Sequence, residues 1–247
     1  MDAYQVISQY YDLEHDDFQD DVAFLLQLVQ EGPVLEVGVG TGRVAWALLE
    51  AGFEVWGIDP SPDMLRLAKS RLARHAGIHL IRTTAAELDL DQRFPVVLLP
   101  LNTLWHLPDS GAQLAALTTL RRHCEDRALL VVDCSNPLSM ADRGADGQVR
   151  ERFARDTKQG TVRAAAASWD DPAEQVLSIS LLYDTTSPDG LVRRRSTELR
   201  LRYLFRFELE LLLKLAGFSL LHLYGSYELE QYQATSPNLI ALALATE

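Results

Sequence analysis

The stretch Glu36-Val37-Gly38-Val39-Gly40-Thr41-Gly42 holds the chain's most distinctive chemistry: a carboxylate inside an apolar strand, followed by three closely spaced glycines. Glycines let a backbone turn sharply and approach a ligand closely, and a helix opening near Arg43 brings unpaired N–H groups to the same point. A dinucleotide loop, Gly-x-Gly-x-x-Gly, needs its third glycine at 43, where this chain has arginine, so the spacing argues against a nicotinamide or flavin dinucleotide. No Gly-Lys-Ser/Thr follows, which excludes a P-loop. A second carboxylate, Asp59, closes the next strand 23 residues after Glu36, where an acid accepts hydrogen bonds from the hydroxyls of an unphosphorylated ribose. A glycine turn alone is also compatible with bare strand-to-helix geometry. Glu36, Gly42 and Asp59 around it point instead to a bound ligand.

These residues need strands and helices to hold them. Between 17 and 30, Val22, Leu25, Leu26 and Val29 recur at helical spacing until Gly32-Pro33 stops the pattern. The runs VLEVGV, FEVWGI, IHLIRT, FPVVLLP and RALLVVDCS then alternate with helical patterns, one reaching about Leu49, one through Met64, Leu65, Ala68 and Leu72, and one through Leu114, Leu117 and Leu120. Strands this apolar are buried on both faces and require helices above and below a mainly parallel sheet. With the closing runs FSLLHLYG and PNLIALALA, the pattern predicts a doubly wound α/β fold on seven strands.

Past residue 140 the rhythm changes. ADRGADGQ reads as a loop, and strand-like runs follow at roughly 161 to 169, 175 to 185 and 191 to 205. Leu177, Ile179, Leu181 and Tyr183 alternate with polar neighbours, as do Leu199, Leu201, Tyr203 and Phe205, and Ser187-Pro188-Asp189-Gly190 supplies a turn. Period-two alternation predicts an antiparallel sheet, inserted at 150–205 in an otherwise single domain spanning 1–247. A helix with Leu209, Leu212, Leu213 and Leu215 then ends at Gly217.

Composition narrows the class. The 247 residues are 47% hydrophobic, which suits a buried core and excludes a disordered or fibrous chain. Thirty-five acidic against 23 basic residues give a formal charge of -12, which disfavours nucleic acid and anionic membrane as partners. The start has no basic and apolar leader pattern, and no apolar run nears the roughly 20 residues that span a bilayer. Cys124 and Cys134 are too few for a disulfide framework and lack zinc-site spacing, so a reducing cytoplasm and no structural metal are expected. No coiled-coil repeat indicates an oligomeric state.

On these residues the chain resembles the class I S-adenosylmethionine-dependent methyltransferases, whose fold is Rossmann-like. VLEVGVGTG is similar to their first motif, GIDPSPDMLRLA to their second strand and following helix, and FPVVLLPLNTLWHL to their fourth strand and its loop. The likeness covers nearly the whole chain apart from the inserted sheet. It implies S-adenosylmethionine as cofactor and S-adenosylhomocysteine as product. It also implies that the loop of Gly38, Gly40 and Gly42 passes under the methionine portion, with Glu36 at its amino group. Asp59 would bind the ribose, Met64 would lie near the adenine, and Leu101 and Asn102 would line the methionine end. Relatives commonly carry Gly-Asp where this chain reads Thr83-Thr84, so a hydroxyl at Thr84 and the Ala85 N–H are left to meet the adenine. Glu87 is expected to be a solvated helix residue.

Methyl transfer from a sulfonium needs alignment and shielding rather than a metal, although an amine or hydroxyl acceptor can need a base. His106 is the best placed of six histidines; a loop ending in His-Leu faces the acceptor in amino-sugar N-methyltransferases, which this plan also resembles. Its alternative is to cap the helix beginning near Asp109. Tyr11 lies in the segment that in relatives folds over the cofactor, where it could bind cofactor, orient an acceptor or anchor a helix, and His15 is expected to be exposed. Trp105 reads as pocket wall or core. The inserted sheet resembles the β insertions that roof the acceptor pocket of small-molecule methyltransferases such as those acting on glycine or nucleotide-linked amino sugars. Arg193, Arg194 and Arg195 suit either an anionic acceptor or a solvated strand face. The expected activity is methyl transfer to nitrogen or oxygen of a small soluble metabolite; the alternative is a noncatalytic protein that binds the cofactor or its product as a sensor or partner subunit.

Overall fold

The computed structural model describes residues 3–139, 145–158 and 160–246. Three short helices open it: α1 (Tyr4–Ile7), α2 (Tyr11–His15) and α3 (Asp20–Leu28). Only α3 has the amphipathic spacing visible in the sequence. Strands and helices then alternate through β1 (Val34–Val37), α4 (Arg43–Glu50), β2 (Val55–Ile58), α5 (Pro62–Arg71), β3 (Ile78–Ile81), β4 (Phe94–Leu99), α6 (Ser110–Arg122) and β5 (Cys124–Ser135). Pro62 stands at the first turn of α5, whose N-terminal N–H of Met64 is accepted by the Ser61 hydroxyl.

The inserted segment forms β6 (Arg150–Thr157), β7 (Gly160–Asp171), β8 (Val176–Thr186) and β9 (Val192–Arg202). It is followed by α7 (Arg206–Leu215), β10 (Phe218–Tyr224) and β11 (Asn238–Ala245). The main sheet has seven strands in the order β10-β11-β5-β4-β1-β2-β3, with β11 antiparallel to both its neighbours and the other pairs parallel. From β1 the chain builds outward through β2 and β3, then crosses back to place β4 on the other side of β1. The crevice at the carboxyl ends of β1 and β4 is therefore the topological switch point, where open α/β sheets bind ligands.

Every residue of β1 and β4 is buried, because hydrophobic clusters cover both faces of the sheet. A third, smaller cluster joins Val6, Ile7 and Tyr10 of the N-terminal segment to Met64 of α5 and to Phe153, Val162, Leu181 and Tyr183 of the second sheet. Tyr10 stacks on Tyr183 with centroids 4.2 Å apart. The N-terminal segment from Val6 to Tyr10 is thus clamped between α5 and the second sheet.

The second sheet is antiparallel in the order β6-β7-β8-β9. Its period-two pattern anticipated three strands, and the structure adds β6. This strand, Arg-Glu-Arg-Phe-Ala-Arg-Asp-Thr, lies at the edge with Phe153 as its one buried side chain, so no alternation marks it. The last strand stops at Arg202 rather than 205, and Tyr203 and Leu204 turn into the core. Of the expected loop at 141–148, residues 141–144 lie outside the described residues. Among the described residues no helix is long and apolar enough to cross a membrane, and none gathers three or more metal-ligating side chains.

Candidate active site

A cavity of about 280 Å³ opens at the switch point between β1 and β4. Of the residues singled out in the sequence, Tyr11, Glu36, Gly38, Gly40, Asp59, Met64, Thr84, Ala85, Leu101 and His106 line it. Gly42 and Asn102 do not. Gly42 sits at φ +85°, and a Cβ there would meet Leu72 Cδ1 at 2.9 Å, so this glycine lets α4 approach α5. At Gly38, φ +73°, a Cβ would lie 2.7 Å from Thr103 Oγ1, so this glycine admits the turn after β4. Gly40 differs: at φ +55° its nearest obstacle to a Cβ is 3.9 Å away, which leaves the space beside the loop open.

The two carboxylates are held differently. Asp59 accepts from the Gly40 N–H at 3.0 Å through Oδ2 and from the Ser61 N–H at 2.8 Å through Oδ1, which fixes the glycine loop to the end of β2. Glu36 is 1% exposed, and its Oε2 has no hydrogen-bond partner. Burial pushes its pKa up to about 8, partly opposed by the nearby Arg43 guanidinium. Arg43 is itself buried, paired through both terminal nitrogens with Asp21, and donates to the Phe18 carbonyl at 2.7 Å. The residue that replaces a dinucleotide-loop glycine therefore ties α4 to α3.

The opposite wall is a turn with two consecutive left-handed residues, Leu101 at φ 46° and Asn102 at φ 62°. Asp133 at the end of β5 holds it: Oδ2 accepts from the Leu101 N–H at 3.2 Å, and the Asp133 carbonyl accepts from the Asn102 N–H at 2.9 Å. Tyr227 donates its hydroxyl to the same Oδ2 at 3.0 Å, and burial raises the Asp133 pKa to about 6. The Asn102 side chain turns away from the first cavity, accepting from Ser135 N–H at 2.6 Å and donating to its Oγ at 3.2 Å. The sequence reading passed over Asp133, although a carboxylate inside the apolar run RALLVVDCS was a usable signal.

Thr84 caps a short 3₁₀ turn, Ala85–Glu87, and donates its hydroxyl to Glu87 Oε2 at 2.9 Å; Glu87 is exposed. His106 ends the 3₁₀ turn Thr103–His106, and the Tyr4 hydroxyl lies 3.1 Å from its Nε2. The capping role is filled by Asp109, whose Oδ1 accepts from the Ala112 N–H at 2.8 Å. His106 is exposed and lines both cavities, and desolvation lowers its pKa to about 4.

A second cavity, of about 350 Å³, lies between the main sheet and the antiparallel one and shares Tyr4, Tyr11, Leu101 and His106 with the first. Asn102 and Trp105 line it, the latter 1% exposed and packed near Tyr203, so it is both wall and core. His15 corrects an expectation: it is half-buried, lines this cavity, and stands 4.3 Å from the Tyr11 ring because α2 folds under the second sheet. Burial lowers its pKa to about 4 and pushes that of the Tyr11 hydroxyl up to about 12. Arg193, Arg194 and Arg195 are exposed on edge strand β9 and line neither cavity; Arg194 pairs with Asp184 at 2.6 Å.

Residues 34–127 match the family model of a methyltransferase domain. The whole chain is similar to the CcbJ methyltransferase from Streptomyces caelestis, with 30% identity and a TM-score of 0.83 over 98% of this chain and 96% of that one. This chain belongs to the class I S-adenosylmethionine-dependent methyltransferases. It is also 29% identical to the cypemycin N-terminal methyltransferase of a Streptomyces species, over 85% of this chain and 81% of that one. CalS10, an amino pentose methyltransferase from Micromonospora echinaspora solved with S-adenosylmethionine bound, shares the fold at 22% identity and a TM-score of 0.72, covering 94% of this chain and 91% of that one.

The methyltransferase's cofactor is S-adenosylmethionine. The first cavity fits it on its own chemistry: a buried acid with one oxygen left unpartnered, Glu36 Oε2, suits an ammonium, and a loop that leaves room at Gly40 suits close backbone approach.

Proposed function

We propose that this methyltransferase moves a methyl group to a nitrogen of a small molecule seated in the second cavity. In this reading Glu36 receives the cofactor's amino group, and Gly38 and Gly40 pass beneath its methionine portion, with Leu101 alongside. Asp59 takes the ribose hydroxyls, while Met64, Thr84 and the Ala85 N–H meet the adenine. Tyr11 closes the cavity from the N-terminal side. Bound there, S-adenosylmethionine supplies an electrophilic methyl group on a cationic sulfur and leaves as S-adenosylhomocysteine.

The observation that carries the reading is the pair of adjoining cavities with His106 at their junction. A histidine with its pKa lowered to about 4 stays neutral at working pH, and its ring nitrogens can accept or relay a proton with the Tyr4 hydroxyl beside them. So weak a base is poorly matched to an alcohol, whose proton must leave as the bond forms. An amine needs no such base before attack, since its neutral lone pair is already nucleophilic and the ammonium product releases its proton to solvent afterwards. The neighbouring acceptor cavity also favours catalysis over a noncatalytic sensor, for which the cofactor cavity alone would serve. The cypemycin enzyme, an N-terminal methyltransferase, agrees with nitrogen.

The test is incubation of the full chain with S-adenosylmethionine and matched amine and hydroxyl acceptors, with the methylated atom assigned by mass spectrometry and NMR. Methyl on nitrogen is expected; methyl on oxygen alone would overturn the reading.

A further inference from the structure

The wall that the antiparallel sheet gives to the second cavity is mostly hydrocarbon, with Arg152, Ser168 and Tyr183 as its polar members. Leu177, Ile179 and Leu181 project from one face of β8, and the register sets Leu199 opposite Ile179 and Leu201 opposite Leu177. On the neighbouring β7, the partners of Leu181 and Ile179 are Ala166 and Ser168. Small side chains beside large ones leave a hollow in the sheet's inner face rather than a filled core. Ile7 and Trp105 extend the same apolar lining from the other side. At the far end the charges are already matched: Glu14 Oε1 lies 2.5 Å from Arg152, and the carboxylate is 15% exposed.

We propose that this cavity selects its acceptor by hydrocarbon, taking an amine carried on an alkyl or aryl body in preference to a polyhydroxylated or phosphate-bearing amine. The inference rests on the nitrogen reading above for the atom methylated, but concerns the body that surrounds it. Hydroxyl groups placed against Ile179, Leu181 and Leu199 would lose water without gaining partners. A phosphate would find the lining's Arg152 engaged by Glu14. The same apolar walls disfavour an ammonium ion, so they shift a bound amine towards the neutral form whose lone pair can attack.

The experiment follows n-alkylamines from butyl to octyl, with glucosamine and a nucleoside-diphosphate amino sugar beside them. Affinity for the complex of the full chain with S-adenosylhomocysteine is measured by calorimetry, and transfer from S-adenosylmethionine by mass spectrometry. Affinity and kcat/KM are expected to rise about fourfold per methylene until the cavity is full. Leu199→Asn and Ile179→Asn, both half-buried at the cavity, should flatten that slope while S-adenosylhomocysteine still binds, which reports an intact fold. A flat slope in the wild-type chain, no binding of any alkylamine, or preference for either amino sugar would overturn the proposal. Preference for an amino sugar with methyl on its nitrogen leaves the nitrogen reading standing. A rising slope with methyl appearing only on the oxygen of matched n-alkanols supports the hydrocarbon cavity and removes the nitrogen reading.

Discussion

The Tyr4 hydroxyl lies 3.1 Å from His106 Nε2, so the first helix of the chain meets the turn after β4 across 102 residues of sequence. The contact stands at the junction of the two cavities, and it binds the N-terminal strap to the acceptor side of the site. Replacing His106 with alanine removes the proton acceptor while leaving Glu36 and Asp59 in place. Methyl transfer should fall roughly 100-fold, with S-adenosylmethionine affinity changed little; single-turnover rates and calorimetry separate the two, and equal losses in both would assign His106 a structural role.

The pH profile follows from the lowered pKa of His106, about 4. The ring is neutral throughout the range in which the enzyme is assayed, so kcat/KM should show no inflection near 6.5 and should rise with deprotonation of the acceptor amine. A break near 6.5 that disappears in His106→Ala would contradict the placement.

Glu36 links cofactor binding to protons. With its pKa pushed up to about 8, the free protein holds a proton there at pH 7, and an ammonium bound beside it favours the carboxylate. Binding should therefore release protons at pH 7, detectable as a buffer-dependent calorimetric heat, and affinity should increase towards about pH 8 and fall beyond it as the cofactor's own ammonium deprotonates. Stability of the free protein runs the opposite way. The folded state holds a proton that the unfolded chain has lost above about 4.5, so Glu36 contributes stability below that pH and loses it as pH rises through about 8. Glu36→Gln should abolish the proton release.

Asp59→Ala should weaken S-adenosylmethionine binding by about 10- to 100-fold, because bonds to the ribose are lost and the Gly40 and Ser61 N–H groups lose their acceptor. Unchanged affinity in folded protein would remove Asp59 from the ribose site.

Two glycines of one loop should fail differently. Gly42→Ala places a Cβ 2.9 Å from Leu72 in a left-handed conformation, costing about 1–2 kcal/mol from the backbone alone, and should lower Tm. Gly40→Val also carries a left-handed backbone cost, at φ +55°, but meets no close neighbour, so its loss of Tm should come with a loss of cofactor affinity that Gly42→Ala does not show. Thermal denaturation beside calorimetry distinguishes them.

The half of the site around Glu36, Gly38, Gly40 and Asp59 was legible because strand, turn and helix start are local signals with fixed spacing. The other half is made by encounters that no spacing announces. Tyr227 reaches Asp133 across 94 residues, and Arg152 of β6 reaches Glu14 of α2 beside the second cavity. The strand β6 escaped notice because an edge strand wet on both faces loses the alternation by which strands are recognised. His15 escaped because an acidic neighbourhood reads as surface until a distant sheet covers it. Gly42 fitted the loop's pattern, while its close contact is with Leu72 at the C-terminal end of α5.

Among the described residues the two cavities share four lining residues, Tyr4, Tyr11, Leu101 and His106. Outside that window, the donor pocket draws on the main sheet and its loops, while the second cavity takes much of its wall from β8 and β9. Substitutions along those strands can therefore accumulate without disturbing Glu36 or Asp59. On the proposed reading, the inserted sheet is in evolutionary terms an exchangeable mould, free to be recast for a new acceptor while the methyl-donating apparatus is inherited intact.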